Sequence, residues 1–111
     1  MDKLVIDGGQ KLSGSIKISG AKNAALPLLA SGLMCSGTLQ LSNVPELADT
    51  VSMMELMEHL GMQIVRTDTQ INIAGAVKTL DAPYEQVRKM RASILVLGPL
   101  LARYGLSLIH I

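Results

Sequence analysis

Residues 3–7 place Leu4 and Ile6 on one face against charged neighbours, and residues 15–19 place Ile16 and Ile18 likewise. Both runs predict short strands, with Gly8-Gly9 as a turn after the first and Gly20 ending the second. From Ala24 the pattern becomes helical through Cys35, rich in Ala and Leu, with Asn23 as the expected N-cap. Pro27 falls in the first turn or just after it, where a missing N–H costs least. Ser36-Gly37 closes that helix, and residues 38–41 predict the next strand. Asn43-Val44-Pro45 turns the chain into a second helix, 46–60, whose apolar positions Leu47, Val51, Met54, Met57 and Leu60 keep spacings of three and four. Gly61 stands where a helix-terminating glycine is expected. Residues 62–66 and 70–73 predict a hairpin around Asp68-Thr69, a pair outside the favoured Asn-Gly and Asp-Gly turns. A third helix is expected from Pro83, at its first position, through Arg91 to Leu101, bending before Pro99. From Ser15 the order is strand, helix, strand, helix, strand, strand, which predicts an α/β fold.

Composition narrows what such a fold can do. Of 111 residues 49% are hydrophobic, yet there is no Phe or Trp and only two Tyr, so the core must be aliphatic, with seven Met filling gaps. A net charge of +1 without long single-sign runs leaves no electrostatic footprint for nucleic acid or an anionic membrane. Scarce aromatics remove stacking platforms for single strands. Cys35 is the only cysteine, which excludes an internal disulfide and a multi-cysteine zinc site. The start, Met-Asp-Lys-Leu-Val-Ile-Asp, lacks the pattern of a signal peptide, and the apolar runs 24–35 and 94–102 are too short to span a bilayer. A cytoplasmic protein without membrane or nucleic-acid partners is expected.

Two segments carry candidate chemistry. In Ser19-Gly20-Ala21-Lys22-Asn23-Ala24-Ala25-Leu26-Pro27 a glycine turn leads from a strand into a helix start. Free N–H groups and the positive end of the helix dipole attract anions there, Lys22 adds a full charge, and Asn23 offers both a donor and an acceptor. An ordinary capped helix with a solvated lysine fits the same residues. In Arg88-Lys89-Met90-Arg91-Ala92-Ser93 three cations oppose the dipole near the N-terminal half of the expected helix. Arg88 and Arg91 would share a face and hold an anion, or pair with Glu85 or Asp81 as a solvated surface. Cys35 has no adjacent His, Lys or Arg to stabilise a thiolate and reads as core packing. His59 reads as a surface residue at a helix end, and Glu46, Asp49, Glu55 and Glu58 as the wet face of the second helix. No metal-binding, P-loop or dinucleotide motif is present, so no metal or cofactor is expected.

The run 20–27, then Asn43-Val44-Pro45, then Met90-Arg91-Ala92-Ser93 and Leu97-Gly98-Pro99-Leu100, closely resembles the UDP-N-acetylglucosamine enolpyruvyl transferases in order and spacing. The resemblance covers residues 1–105. The sister shikimate enzymes carry a Lys-Ser and an Asn-Arg pair at the first helix start, where this chain has Lys22-Asn23 and no such arginine. The resemblance implies an enzyme that transfers the enolpyruvyl group of phosphoenolpyruvate to the 3-hydroxyl of UDP-N-acetylglucosamine, in the first committed step of peptidoglycan synthesis. It implies an inside-out α/β barrel fold of repeated βαβαββ units, of which this chain holds a truncated part. Lys22 and Asn23 match the family's phosphoenolpyruvate-contacting pair, and Arg91 matches a residue of the UDP-sugar site. The catalytic cysteine would follow Gly105, and Cys35 does not match it. The chain is therefore expected to need the remainder of its own length and to be inactive alone.

The resemblance also divides the chain. Residues 1–20 are expected to belong at least partly with the other domain of the full-length protein, and 21–105 to form part of the first domain. Residues 106–111, Leu-Ser-Leu-Ile-His-Ile, read as the translation of a sequencing-library transposase adapter, and a natural C-terminal strand is the other reading. Beside the enzyme stand two further functional readings, a non-enzymatic α/β module that binds an anion or a partner, and a shikimate-pathway relative.

Overall fold

The computed structural model describes residues 2–109. Two helices cover a three-stranded antiparallel sheet, and a second helical segment closes the other end of the core. Helix α1 spans Lys22–Ala30 and tightens into a 3-10 turn, Ser31–Met34. Strand β1 is Leu39–Leu41, α2 is Ala48–Leu60, β2 is Met62–Thr67 and β3 is Gln70–Gly75. After β4, Asp81–Ala82, come a one-turn helix α3, Tyr84–Val87, a 3-10 segment, Arg91–Val96, then α4, Leu97–Tyr104, and β5, Leu108–Ile109. Among the described residues no helix is long and apolar enough to cross a membrane.

The sheet order is β1-β3-β2, with Leu39 opposite Ile73 and Ile64 opposite Ile73 on its other side. Ile71 and Ile73 are wholly buried in the central strand. They face Leu29 and Leu33 from α1 and the turn after it, and Met53, Leu56, Met57 and Leu60 from α2. Gly32 packs so closely on β3 that a Cβ there would lie 2.9 Å from Cγ2 of Ile73. Val96 and Leu100 complete the core from the C-terminal segment.

The buried face of α2 differs from the expected stripe. Met53 and Leu56 are fully buried, Val51 is half-buried, and Leu47 is 42% exposed. The helix is covered by α1 on one side and by β2, β4 and the 3-10 segment on the others, so its buried arc is wider than a single seam. It also begins later than expected, at Ala48 after Leu47 as N-cap. The hydroxyl of Thr50 accepts the N–H of Leu47 at 3.0 Å and lies 2.9 Å from the carbonyl oxygens of Pro45 and Leu47, which pins that start. The helix ends at Gly61 in the left-handed conformation, φ 116°.

The hairpin closes through Thr67 opposite Gln70, with Asp68 at φ 55°. Asp tolerates this left-handed conformation, so the turn forms without the favoured glycine.

The expected N-terminal strands are corrected. Residues 3–7 and 15–19 are not strands, and no regular element precedes Lys22 among the described residues. Leu4, Ile6, Ile16 and Ile18 are 76–87% exposed. An alternating pattern becomes a strand only when a neighbour completes its ladder, and none lies beside it here. The observed order is therefore helix, strand, helix, strand, strand, which is the α/β unit without its leading strand.

The third helix is not continuous either. It breaks between α3 and the 3-10 segment, where Met90 is extended (φ −157°, ψ 124°) and 5% exposed. Burying Met90 competes with helix continuation and prevails. Pro83 is the N-cap of α3 rather than its first residue, and Pro99 lies in the first turn of α4, where it needs no bend.

Candidate functional site

Lys22 is the first residue of α1 and Asn23 the second, both exposed. The N-cap is Ala21, extended at φ −87° and ψ 136°, with no side-chain cap. This corrects the expectation that Asn23 caps the helix. The first intrahelical bond runs from Ala25 N–H to the Ala21 carbonyl at 2.9 Å. The amides of Lys22, Asn23 and Ala24 thus open toward solvent at the positive end of the helix. Pro27 is the sixth helical residue, later than expected, and cannot donate to the Asn23 carbonyl. After Ala30 the helix tightens into the 3-10 turn Ser31–Met34.

Lys22 is not merely solvated. Its Nζ lies 3.1 Å from Oδ2 of Asp49, in the first turn of α2. Asp49 reads in the sequence only as part of a wet helix face. No spacing rule links it to Lys22, because the two meet through the packing of α1 on α2.

The three cations of 88–91 separate. Arg88 ends α3, pairs with Glu85 at 3.6 Å and lies over the Tyr84 ring at 5.9 Å. Lys89 faces Glu55 at 3.8 Å. Arg91 opens the 3-10 segment that packs on α1, is exposed, and has no ion-pair partner among the described residues. The expectation that Arg88 and Arg91 share one helix face is corrected, because the break at Met90 puts them on different elements. Arg88 instead forms the surface pair with Glu85 that the sequence also allowed.

Cys35 is half-buried and lies outside the core cluster, contrary to the core-packing expectation. Its carbonyl and that of Leu33 accept Nη1 of Arg103 at 2.7 and 2.9 Å. That guanidinium ties α4 to the end of the first helical segment, a link the sequence pattern does not signal. His59 lies exposed in the last turn of α2, as expected.

A cleft of about 90 Å³ lies beside the start of α1, lined by Gly20, Ala21, Ala24, Leu28, Leu41 and Asn43. Pockets that engulf a drug-sized ligand measure roughly 300–1,000 Å³. The cleft is smaller than such pockets, and neither Lys22 nor Asn23 lines it.

The model of the EPSP synthase family (3-phosphoshikimate 1-carboxyvinyltransferase) matches residues 6–110. UDP-N-acetylglucosamine 1-carboxyvinyltransferase of Desulfosudis oleivorans is 54% identical over 106 residues, covering 95% of this chain and 25% of that protein. Its namesakes from Carboxydothermus hydrogenoformans and Prosthecochloris aestuarii are 52% and 50% identical, with the same coverage. The crystal structure of the enolpyruvyl transferase NikO from Streptomyces tendae superposes with a TM-score of 0.74 at 23% identity, over 90% of this chain and 24% of that one. The structural likeness establishes the fold, and the identities place the chain more finely than the family model does. The chain belongs to the EPSP synthase family and stands within it beside the UDP-N-acetylglucosamine 1-carboxyvinyltransferases, of whose length it spans a quarter.

Proposed function

We propose that this chain is the N-terminal part of a cytoplasmic UDP-N-acetylglucosamine enolpyruvyl transferase and forms one wall of its substrate site. What supports the reading is 50–54% identity over 95% of the chain to three proteins of that name. In the reaction the 3-hydroxyl oxygen of the sugar bonds to C2 of phosphoenolpyruvate. The bond between C2 and the bridging oxygen of the phosphate breaks, and the hydroxyl proton leaves with inorganic phosphate. The product commits the sugar to peptidoglycan.

Lys22 and the open amides of α1 meet the phosphate of phosphoenolpyruvate, and the Asn23 amide orients the same substrate. Charge placed in advance at the phosphate stabilises the transition state without reorganisation. Arg91 takes part in holding the UDP-sugar through a planar fork of donors suited to phosphate oxygens. Cys35, tied by its carbonyl to Arg103 on the far end of the first helical segment, has no part in the chemistry. The catalytic cysteine and the opposite wall belong to the remainder of the full-length enzyme, with which residues 1–20 also pair at least in part. Residues 106–111 are adapter-derived, and the underlying DNA should match the adapter base for base.

The chain alone should release no phosphate from phosphoenolpyruvate plus UDP-N-acetylglucosamine. Residues 1–105 joined to the remainder of the Desulfosudis oleivorans relative should release it, and Lys22→Ala should abolish most of that turnover. Turnover by the isolated chain that disappears with Lys22→Ala would overturn the reading of the chain as incomplete. A folded, inert chimera would overturn the assignment itself.

A further inference from the structure

Asn43 sits in the left-handed region at φ 57°, between β1 and α2. Its Nδ2 donates to the carbonyl of Ile18 at 3.1 Å. Its own carbonyl oxygen lies so close to Gly20 that a Cβ on Gly20 would collide with it, and Cδ of Pro45 would be 3.0 Å away. The loop grips the chain on both sides of Ser19, immediately before Ala21 and Lys22.

That loop is itself held from below. Val44 N–H donates to the Thr69 carbonyl at 2.9 Å, and the Val44 carbonyl accepts Nη2 of Arg66 at 3.0 Å. Nε of Arg66 bonds the Asp68 carbonyl at 2.9 Å, so the loop is fixed to the turn of the β2–β3 hairpin. Val44 is buried, and Thr50 binds the loop to the start of α2, which carries Asp49. One rigid corner therefore sets the backbone that delivers Lys22 and the carboxylate that holds its ammonium.

We propose that Asn43 is a positioning residue for Lys22, latching the segment 18–20 so that the start of α1 presents its charge in a fixed place. This rests on the reading of Lys22 as the phosphoenolpyruvate contact. Asn serves at this position for two reasons. Its side chain tolerates the left-handed backbone, and its amide supplies the donor that Ile18 needs. Loss of the latch lets the start of α1 swing, and misplacement of a charged contact by about 1 Å is enough to slow an enzyme severely. Arg91 stands on a different element, which the latch does not touch, so the UDP-sugar contact is expected to change less.

The test uses the full-length chimera described above. Asn43→Asp keeps the shape and the left-handed tolerance but removes the donor, and Asn43→Gly keeps the backbone conformation but removes the side chain. In both, kcat/KM for phosphoenolpyruvate should fall about tenfold while kcat/KM for UDP-N-acetylglucosamine, with phosphoenolpyruvate saturating, stays within about twofold. Unchanged kinetics in both variants would overturn the proposal. So would equal losses for both substrates, or failure of both variants to fold, since either marks a structural role. Lys22→Ala in the same chimera separates the two readings. Full turnover there sinks the assignment of Lys22, whereas loss there with unaffected Asn43 variants sinks the latch alone.

Discussion

The ammonium of Lys22 and the carboxylate of Asp49 lie 3.1 Å apart across the contact between α1 and α2, with side chains 48% and 34% exposed. Ion pairs this open to water contribute about 0–1 kcal/mol. Lys22→Ala and Asp49→Asn should therefore each lower stability by less than about 1 kcal/mol, read from urea unfolding midpoints of the full-length chimera. A large loss of turnover in Lys22→Ala is then a loss of chemistry and not of fold. Destabilisation well beyond that range in either variant would show that the pair holds the helices together.

Arg103 carries a heavier structural role. Its Nη1 reaches the carbonyls of Leu33 and Cys35, and its guanidinium lies over the Tyr104 ring at 5.2 Å. Charge-assisted bonds of this kind are worth about 1.5–3 kcal/mol each when a partner is removed. Arg103→Ala should raise hydrogen exchange in residues 31–35 and in α4, and Arg103→Lys should restore only part of the protection, because an ammonium lacks the planar group that lies over the Tyr104 ring. Protection equal to that of the unaltered protein in Arg103→Ala would refute this tie.

Gly61 combines φ 116° with close approach, since a Cβ there would lie 2.7 Å from the Lys78 amide nitrogen. That amide donates to the Leu60 carbonyl at 2.7 Å and has no room to retreat. Gly61→Ala should cost about 2 kcal/mol or more, by adding left-handed strain to a clash. Gly37, with open space around it and no left-handed backbone, should accept Ala within about 0.5 kcal/mol. Equal midpoints for the two variants in denaturant would contradict the contrast.

The isolated chain should aggregate or bind hydrophobic dyes. Leu4, Val5, Ile6, Leu12, Ile16 and Ile18 are 76–91% exposed, and Ile94 and Leu101 are about half exposed. At roughly 25 cal/mol per Å², leaving 400 Å² of such surface in water forfeits about 10 kcal/mol, comparable to the stability of a whole domain. Deleting residues 1–17 should reduce dye binding. A monodisperse monomer with a sharp thermal transition and no dye binding would count against the prediction.

What the sequence by itself determined was local. The periodicity of 46–60, the stop at Gly61 and the alternation of 62–73 each depend on neighbours within a turn or a hairpin, and those elements formed within two residues of their expected bounds. The resemblance carried by Lys22, Asn23 and Arg91 singled out the family because its motifs are written in order along the chain. Tertiary structure decided the rest, since each remaining feature depends on partners far apart in sequence. Strands at 3–7 and 15–19 need a ladder beside them, and the pattern alone cannot supply it. Met90 breaks an otherwise helical run because the core, not the local propensity, claims its side chain. Asp49 reaches Lys22, and Asn43 reaches Ile18, only after the packing of α1 against α2 and the anchoring of the 43–45 loop on the hairpin turn have brought them within a hydrogen bond's length.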